Sequence, residues 1–475
     1  MFDVTVIGGG VVGAMILREL SRYDLKICML EKENDVCMGQ SKANSGIVHA
    51  GFDAKENTLK AKFNVLGNKM MKDVCDELGV KYRNNGSLVV AFNDEQLRTL
   101  CELKKRGEIN GVRDIEIISR EKLFEIEPSI NENAVGALYA KSGGIVCPYN
   151  LTIAAIGNAM DNGAELKCDF EVVKLDKIND GYRIFSKNGE AVETKVVVNS
   201  AGINSGKIAS LSGDEYNVFA RRGEYILLDK TAKSLTDKTL FFTPTALGKG
   251  ILVSPTADGN IILGPTAEEI SGNDTDTTSE GLNAVMKKAS EMMKSVPFGD
   301  AITSFAGVRA YNDKHDFIIE ESEKNKGFIE LIGIESPGLT ASPAIGKYVV
   351  EELIAKRLNL KKKSNFNPYR RAEYFFGQLN DEEKNDIIKK DGKFGKIVCR
   401  CEKITEGEIV NAIRENPKAT SVDAIKRRTR AGMGRCQGGF CQPYVVEILA
   451  RELGKDYTEI TKSGKNSFIL EGKTK

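Results

Sequence analysis

The chain has 475 residues, of which 68 are lysine or arginine and 67 are aspartate or glutamate, so its formal net charge at pH 7 is +1. This balance gives no reason to expect nucleic acid or an anionic membrane as a partner. No apolar run approaches the length of a membrane span, and because the first apolar run begins at residue 4 we expect no signal or transit peptide. Ten cysteines in such a chain indicate a reducing, cytoplasmic location, where thiols stay free to act as ligands.

The first elements in chain order form a dinucleotide-binding fingerprint. A G-x-G-x-x-G pattern lies between the apolar run Val4–Ile7 and a helix predicted over Val12–Ser21. These glycines permit a tight turn and bring a pyrophosphate close to the helix N-terminus. A second apolar run, Lys26–Leu30, ends on an acid placed to bind a ribose hydroxyl. The fingerprint predicts a dinucleotide site without separating FAD from NAD, and its residues are Gly8, Gly10, Gly13 and Glu31.

The following elements predict a mixed α/β body that extends to about residue 358. A Lys- and Asn-rich segment, Arg357–Asn367, then predicts a linker, and polar helical sequence follows it. The Asp258-Gly259 pair between two short apolar runs is a strong hairpin signal. The predicted helices are 59–78, 94–105 and 149–162, and the predicted strands are 86–92, 196–202, 251–255 and 260–264.

Four cysteines near the C-terminal end form two close pairs, Cys399-x-Cys401 and Cys436-x4-Cys441. Four thiolates suit either zinc or an iron–sulfur cluster. One intervening residue is tight for a zinc pair, and the second pair lies in a glycine-rich loop whose N–H groups are free to bind cluster sulfurs. The spacing therefore favours a [2Fe-2S] cluster over zinc, and both over four merely buried cysteines.

Three further motifs add a family resemblance. Together with the fingerprint, the segments Asn44–Gly51, Val198–Gly202 and Gly333–Thr340 resemble the FAD-dependent D-amino-acid-oxidase-like superfamily over about residues 1–358. The segments Val398–Glu402 and Arg428–Gly438 resemble the [2Fe-2S] domain of bacterioferritin-associated ferredoxins (BFD-like). The fusion of the two is similar to the family of large catalytic subunits of anaerobic glycerol-3-phosphate dehydrogenases.

The resemblance implies an α/β fold in which a Rossmann-like FAD-binding domain is interleaved with an α+β substrate domain, followed by a small helical [2Fe-2S] domain. The implied units are an FAD-dependent oxidoreductase at 1–358, a linker at 359–394, the BFD-like domain at 395–454 and a C-terminal tail at 455–475. Within the first unit the FAD-binding segments are about 1–80, 144–215 and 300–358, and the substrate segments are about 81–143 and 216–299.

The same resemblance implies FAD as the dinucleotide and assigns further residues to it. The N–H groups at the start of a helical stretch predicted over Ser342–Ala355 would face the negative charge of a reduced flavin. Ala201 and Gly202 would let the backbone approach the cofactor closely. The implied cofactor residues beyond the fingerprint are Ser45, Gly46, Ala201, Gly202, Gly338, Leu339 and Thr340.

The catalytic candidates are one histidine and one arginine. The family places a histidine beside the flavin, His49 matches it, and a neutral imidazole is suited to take a hydroxyl proton near pH 7. The other histidine, His315, is expected to be structural or to lie just behind the residues that contact the substrate. Arg309 resembles the arginine that anchors substrates in this family, because a guanidinium binds carboxylate or phosphate bidentately. Arg221 and Arg222 are further candidates.

The implied reaction is oxidation of a small anionic alcohol, foremost sn-glycerol 3-phosphate. The segment Gly338–Lys347 lacks the cationic residues that help to bind phosphate in the well-known enzymes, so L-2-hydroxy acids and amino or imino acids stay open as substrates. The fused cluster implies an electron-acceptor protein, either a second flavoprotein or a membrane-associated subunit. A flavin-binding scaffold with structural zinc is the alternative from another class.

Overall fold

Two large β-sheets and a small helical domain are formed by residues 1–244, 250–370 and 376–472, which this computed structural model describes. The helices are α1 (Val11–Leu20), α2 (Leu59–Leu78), α3 (Asp94–Ile109), α4 (Arg120–Ile126), α5 (Pro148–Asp161), α6 (Ser205–Ser212), α7 (Ser279–Met292), α8 (Gly338–Tyr348), α9 (Asp381–Lys390), α10 (Glu406–Arg414), α11 (Val422–Thr429) and α12 (Gln442–Leu453). The strands are β1 (Phe2–Ile7), β2 (Ile27–Leu30), β3 (Ile47–Val48), β4 (Tyr82–Arg83), β5 (Ser87–Ala91), β6 (Ile115–Ser119), β7 (Gly136–Ala140), β8 (Gly144–Val146), β9 (Glu165–Lys167), β10 (Val172–Ile178), β11 (Gly181–Ser186), β12 (Ala191–Asn199), β13 (Val218–Leu228), β14 (Thr239–Phe242), β15 (Leu252–Pro255), β16 (Ile261–Gly264), β17 (Glu268–Ile270), β18 (Ala301–Asn312), β19 (Ile318–Glu321), β20 (Phe328–Ile332), β21 (Ile397–Cys399) and β22 (Ile404–Thr405).

The first sheet has a parallel centre and runs in the order β10-β11-β12-β1-β2-β9, with β20 beside β12 and β19 beside β20. β1 pairs in parallel with β12 and β2, and β2 pairs in parallel with β9. In β2, Ile27 and Met29 pack in one core while Cys28 and Leu30 pack in another. Burial on both faces explains why these strands are continuous apolar runs in the sequence.

The second sheet runs in the order β17-β13-β16-β15-β14-β5-β7-β6, with β18 along the other side of β13. Its strands come from two stretches of chain that alternate with those of the first sheet, so the interleaved α/β fold is confirmed. β18 pairs with β13 over its whole length. We therefore place the return of the chain to the first sheet after residue 312 rather than at about residue 300.

Most predicted elements are present with small shifts of their ends. α2 has the predicted bounds, α5 begins at Pro148, and the hairpin forms from β15 and β16. The helical stretch expected over Ser342–Ala355 instead begins at Gly338 and continues beyond α8 in a π-helical turn, Val349–Leu353.

A short three-stranded sheet, β3-β8-β4, links the two large sheets. Ile47 of β3 pairs with Ile145 of β8, and the chain leaves β3 directly at His49. The cluster domain has its own core, formed mainly by α10, α11 and α12. Within the described residues, no helix has both the length and the apolar composition needed to cross a membrane.

The segments on either side of the cluster domain pack against folded parts of the chain. The linker contacts the residues that follow α1. Asp24 N–H donates to the Lys361 carbonyl at 2.8 Å, and Lys363 N–H donates to the Arg22 carbonyl at 2.9 Å. The C-terminal tail returns to the start of α11, where Asp423 N–H donates to the Lys462 carbonyl at 2.8 Å.

Candidate active site

A cavity of about 580 Å³ runs between the first sheet and the second sheet. One end lies at the turn after β1 and at Glu31, and the other end lies at β13, β18 and the outer ends of the β15–β16 hairpin. The N-terminus of α8 and the segment 43–49 line its middle. The arrangement places a dinucleotide fingerprint and a polar substrate region in one connected space.

The turn after β1 has the geometry that a pyrophosphate requires. Gly8 has a φ of +107°, and a Cβ there would lie 2.6 Å from the Ser200 carbonyl oxygen. Gly13 lies outside the cavity lining and packs against the Gly8 carbonyl, so it allows close helix packing instead. No side chain caps α1 at Gly10, although Val11 N–H donates to Ser41 Oγ at 2.8 Å. Free N–H groups at this helix end fit a pyrophosphate.

Glu31 lies at the carboxyl end of β2 and orders the same turn. Its Oε2 accepts a hydrogen bond from Gly9 N–H at 2.7 Å, and its Oε1 accepts one from Glu33 N–H at 3.0 Å. Burial raises the pKa of Glu31, and the two backbone hydrogen bonds only partly oppose that shift. The carboxylate lines the cavity, as a ribose-binding acid must.

The predicted flavin residues divide into those that line the cavity and those that support it. Ser45, Ala201, Gly202, Gly338 and Leu339 line it. Outside the lining lie Gly46, where a Cβ would be 2.5 Å from the Val146 carbonyl oxygen, and Thr340, whose Oγ1 accepts the His49 N–H at 2.9 Å. No side chain caps α8 either, and Gly338 and Leu339 of its first turn line the middle of the cavity, where a helix N-terminus fits an anionic flavin edge.

His49 lines the cavity beside the N-terminus of α8. Its Nε2 lies 3.4 Å from Ser336 Oγ, and its ring lies 5.9 Å from the ring of Phe241. Its carbonyl accepts hydrogen bonds from Asn64 Nδ2 at 2.6 Å and Asn68 Nδ2 at 3.1 Å. The backbone is therefore fixed while the imidazole faces the cavity.

Arg309 and Arg221 are opposite each other on β18 and β13 and both line the cavity. Arg309 Nη2 donates to the Thr266 carbonyl at 2.7 Å, while its Nε is buried without a hydrogen-bond partner. A buried unpaired guanidinium N–H fits an anionic ligand, because leaving it unsatisfied is costly. Arg221 lies 4.5 Å above the ring of Tyr311 and pairs with Glu269 at 3.3 Å.

Arg222 does not line the cavity, so we no longer count it as a candidate anchor for the substrate. It is the next residue on β13, so its side chain points to the opposite face of the sheet. There it is buried against acids, at 2.7 Å from both Glu268 and Asp274.

The structure adds cavity residues that the sequence did not indicate. His315, expected to be structural or to lie just behind the substrate-contacting residues, itself lines the cavity and stacks on Tyr311 with ring centroids 5.9 Å apart. Lys60 Nζ pairs with Glu335 at 2.7 Å at the same wall. A single sequence carries no signal that brings residue 60 to residue 335. Other such lining residues are Tyr225, Phe241, Leu252, Thr266 and Ser336.

The four cysteines come together as two pairs. Cys401 Sγ lies 3.6 Å from Cys436 Sγ, and Cys399 shares a thiol hydrogen bond with Cys441. Two sulfurs on one tetrahedral metal with bonds of about 2.3 Å lie about 3.8 Å apart, so each pair fits one metal of a two-metal cluster. No set of three or more His, Cys, Asp or Glu side chains among the described residues surrounds a single metal position. Cys399 and Cys441 are buried, whereas Cys401 is exposed.

Backbone N–H groups surround these sulfurs, as the glycine-rich loop suggested. Burial raises the pKa of Cys436, but hydrogen bonds from the N–H groups of Phe440, Gly438 and Gly439 outweigh it and lower the pKa. Gly434 packs against the Cβ of Cys401, which leaves no room for a side chain there. The loop thus supplies the donors that stabilise sulfur anions.

The fold and the cavity define a dinucleotide-dependent oxidoreductase that carries a four-cysteine domain. The family described as FAD dependent oxidoreductase (DAO) matches residues 3–352, and the BFD-like [2Fe-2S] binding domain matches residues 397–451. The chain belongs to the FAD dependent oxidoreductase family, and its cofactors are FAD and a [2Fe-2S] cluster.

Individual relatives share most of the chain. A glycerol 3-phosphate dehydrogenase of Caloramator mitchellensis is 52% identical over 479 residues, covering 100% of this chain and 99% of that protein. A glycerol 3-phosphate oxidase of Mycoplasma genitalium is 35% identical and covers 77% of this chain and 97% of its own length. The solved structure of a dithionite-reduced L-alpha-glycerophosphate oxidase from Mycoplasma pneumoniae with FAD bound has a TM-score of 0.74 and 32% identity, covering 78% of this chain and 98% of that chain.

Proposed function

We propose that this chain is a dehydrogenase that oxidises sn-glycerol 3-phosphate to dihydroxyacetone phosphate and delivers the electrons to a partner protein. The observation that carries the proposal is the cavity, in which His49 and Arg309 line the space that begins at the dinucleotide fingerprint. The similarity to a glycerol 3-phosphate dehydrogenase over the full chain, cluster domain included, supports the choice of substrate. FAD would supply hydride acceptance, and the cluster would supply one-electron transfer.

The residues of the chain have distinct tasks in this reaction. Arg309, which lines the cavity, binds the anionic group of the substrate through its guanidinium group. His49 takes the proton of the reacting hydroxyl at Nε2, the ring nitrogen near Ser336 Oγ. One proton thus leaves the hydroxyl oxygen, and one hydride, which carries both electrons, leaves the adjacent carbon. The aromatic wall of Phe241 and Tyr225 limits access of water.

The phosphate group must be held without the segment Gly338–Lys347. Lys347 points away from the cavity, where its side chain is 54% exposed and faces Glu351 at 3.8 Å. Arg309 and Arg221, on facing strands, are the cations that we assign to phosphate instead. Two guanidinium groups on one face suit a doubly charged anion better than a single carboxylate.

Oxidation of an L-2-hydroxy acid is the second candidate, because one arginine is enough for a carboxylate. A Caenorhabditis elegans L-2-hydroxyglutarate dehydrogenase is 32% identical but covers only 56% of this chain. The amino-acid-related structures, such as a glycine oxidase from Geobacillus kaustophilus with 20% identity and a TM-score of 0.68, bear on the fold alone. A non-catalytic scaffold with structural zinc is disfavoured by the match to a [2Fe-2S] domain.

An anaerobic absorbance titration of the purified holoprotein tests the substrate. We expect glycerol 3-phosphate to bleach the flavin band, and L-2-hydroxyglutarate and a panel of amino and imino acids to leave it unchanged. Bleaching by a carboxylate substrate alone would overturn the proposal in favour of the second candidate.

The electron acceptor is tested separately. A [2Fe-2S] cluster accepts one electron at a time, so the two electrons of each turnover leave it in two steps, to an acceptor that we propose is a second flavoprotein or a membrane-associated subunit. We expect slow turnover with oxygen and loss of acceptor reduction in a Cys399→Ser variant. Rapid turnover with oxygen, together with full acceptor activity of Cys399→Ser, would contradict this part of the proposal.

A further inference from the structure

Arg430 lies at the boundary between the cluster domain and the oxidoreductase body and is 8% exposed. It ends α11 in the left-handed region, with a φ of +70°. Its Nε donates to Glu402 Oε2 at 2.8 Å, and its Nη1 donates to Asp258 Oδ2 at 2.8 Å. Nη2 donates to Asn260 Oδ1 at 3.0 Å. One guanidinium therefore binds two parts of the molecule at once.

On the cluster side, Arg430 holds the residue that follows an exposed ligand. Glu402 comes directly after Cys401, and its carboxylate also pairs with Lys230 at 2.7 Å. Arg430 Nη1 also donates to Tyr149 OH at 3.1 Å, and the same hydroxyl lies 3.4 Å from Met433 Sδ in the cysteine loop. Both cysteine-bearing segments are thus fixed through this arginine.

On the body side, Arg430 binds the turn of the β15–β16 hairpin, which joins the cluster domain to the substrate cavity. Asp258 and Asn260 lie in that turn, whereas Leu252 at the start of β15 and Thr266 shortly after β16 line the cavity. The Thr266 carbonyl accepts the hydrogen bond of Arg309. One end of the hairpin therefore contacts Arg309, the proposed substrate anchor, and its turn contacts Arg430 of the cluster domain.

The contacts of Arg430 are strongly directional. A guanidinium presents five donors in a fixed plane, and here they meet Asp258 and Glu402, whose side chains are both 4% exposed. Without Arg430, Asp258 would keep only Lys81 at 3.1 Å and Glu402 only Lys230 at 2.7 Å, so each buried carboxylate would lose one of its two cations and the link between the two carboxylates would be lost. Lysine at this position keeps the charge but lacks the fork that reaches four acceptors.

We propose that Arg430 is a positioning residue that sets the cluster loop against the substrate-cavity hairpin, so that electron transfer from the flavin site to the cluster depends on it. The direction of electron flow in this inference rests on the proposed function, whereas the contacts of Arg430 are independent of it. Its effect should appear after substrate has reduced the flavin, because Arg430 lies outside the cavity lining.

The kinetic test uses the holoprotein with Arg430→Gln and Arg430→Lys, compared with Arg414→Gln, which removes an exposed ion pair within the same domain. Anaerobic stopped-flow with glycerol 3-phosphate separates flavin bleaching from cluster reduction, with rates expressed per bound cluster. We expect flavin bleaching within twofold of wild type in every variant. We expect cluster reduction at least tenfold slower in Arg430→Gln, partly restored in Arg430→Lys and unchanged in Arg414→Gln.

Hydrogen exchange on the resting holoprotein gives a readout that requires no turnover. We expect amides of 252–264 and 399–404 to lose protection together in Arg430→Gln and to keep it in Arg414→Gln. Asp258→Asn weakens the same contact from the body side and serves if Arg430→Gln fails to fold. Cluster reduction and hairpin protection equal to those of Arg414→Gln in these variants would overturn the inference. Failure of wild-type flavin to bleach would instead overturn the proposed function and leave the exchange result decisive for Arg430.

Discussion

At the scale of single residues, hydrogen bonds fix the backbone of His49, and we propose that its ring takes part in the chemistry. Thr340 binds its N–H, while Asn64 and Asn68 bind its carbonyl. Replacing the ring therefore leaves the supports of the chain in place. Because these hydrogen bonds are made by backbone atoms of His49, the effect of replacing the imidazole on the reaction can be interpreted directly.

The first prediction concerns proton removal by His49. We expect His49→Gln to slow flavin reduction by glycerol 3-phosphate about 10²- to 10⁴-fold, the usual contribution of a general base, while FAD content stays unchanged. Anaerobic stopped-flow absorbance measures the rate. His315→Gln is the matched control, because His315 lines the same cavity but stacks on Tyr311. Equal losses in both variants would argue against His49 as the base.

The second prediction concerns the anion anchor Arg309. We expect Arg309→Gln to raise KM about 10- to 100-fold with a smaller effect on kcat, because a charge-assisted hydrogen bond contributes about 1.5–3 kcal/mol. Steady-state kinetics with an artificial acceptor measure both constants. Arg183→Gln, which removes an exposed pair with Glu193, should leave them unchanged. An unchanged KM in Arg309→Gln would remove Arg309 from the substrate site.

At the scale of elements, α11 docks the cluster domain onto the loop that follows β2. Arg427 Nη2 lies 2.5 Å from Asp35 Oδ2, and Arg428 Nη2 lies 2.8 Å from Asp35 Oδ1. Burial alone would raise the pKa of Asp35, but the two arginines outweigh burial and lower it. One carboxylate thus compensates two buried cations.

The third prediction follows from this contact. We expect Asp35→Ala to lower the free energy of unfolding by about 3–5 kcal/mol, because both guanidinium groups lose their compensation in a buried site. Urea denaturation followed by circular dichroism measures the change. Asp386→Asn, which weakens the exposed pair with Lys389, should cost less than about 1 kcal/mol. A similarly small change in Asp35→Ala would show that α11 does not depend on this carboxylate.

A buried acid in the first sheet makes stability depend on pH. Glu330 of β20 accepts a hydrogen bond from Asn199 Nδ2 at 2.7 Å, and its other oxygen is buried without a partner. Burial raises the pKa of Glu330 to about 8, although the bond from Asn199 opposes the shift. The folded state holds the proton more tightly than the unfolded chain. Its contribution to stability is therefore full below about pH 4.5 and is lost as the pH rises through 8.

The fourth prediction uses Glu330→Gln, which cannot ionise. We expect wild type to lose about 2–3 kcal/mol of stability from this group between pH 6 and pH 9, and the variant to lose none of it. Urea denaturation of both proteins at the two pH values measures the difference. Parallel pH profiles would contradict a raised pKa at this position.

The sequence could predict local patterns and could not predict which distant residues meet. The fingerprint glycines and the hairpin at Asp258-Gly259 each depend on a short spacing, and the structure contains both features. The two cysteine motifs are also local, but the structure pairs cysteines of different motifs, Cys401 with Cys436 and Cys399 with Cys441. The sequence could not choose between Arg221 and Arg222 as substrate anchors. Alternation along a strand shows that the two side chains lie on opposite faces of the sheet, but it does not show which face borders the cavity. The contacts of Arg430 with the oxidoreductase body span about 170 to 280 residues of chain, beyond any local pattern.

At the scale of the whole molecule, the exposed side of the cluster domain is the surface from which electrons would leave. Phe440 is 77% exposed and Tyr444 is 54% exposed, and both are close in sequence to Cys441. The solvent-accessible thiol of Cys401 belongs to the pair with Cys436. Large exposed aromatic side chains are unusual on a free surface and are common in protein contacts.

The fifth prediction tests this surface. We expect Phe440→Ser to slow reduction of the acceptor protein about tenfold while glycerol 3-phosphate reduces both cofactors at the wild-type rate. Acceptor reduction under anaerobic conditions measures the first rate, and absorbance without acceptor measures the second. Phe468→Ser, at an exposed phenylalanine of the C-terminal tail, is the control. Equal acceptor rates in the two variants would place the contact elsewhere.

The buried pairing of Asp35 with α11 also constrains how such a chain can change during evolution. An oxidoreductase body that loses its C-terminal domain would leave this carboxylate without its two cations, and selection would no longer favour an acid there. A body that gains the domain must acquire the acid before the docking surface becomes stable. An acid at position 35 should therefore occur in family members that carry the cluster domain and be absent from those that lack it. A chimera that joins this domain to a body with an uncharged residue at position 35 should assemble only after that residue is replaced by aspartate.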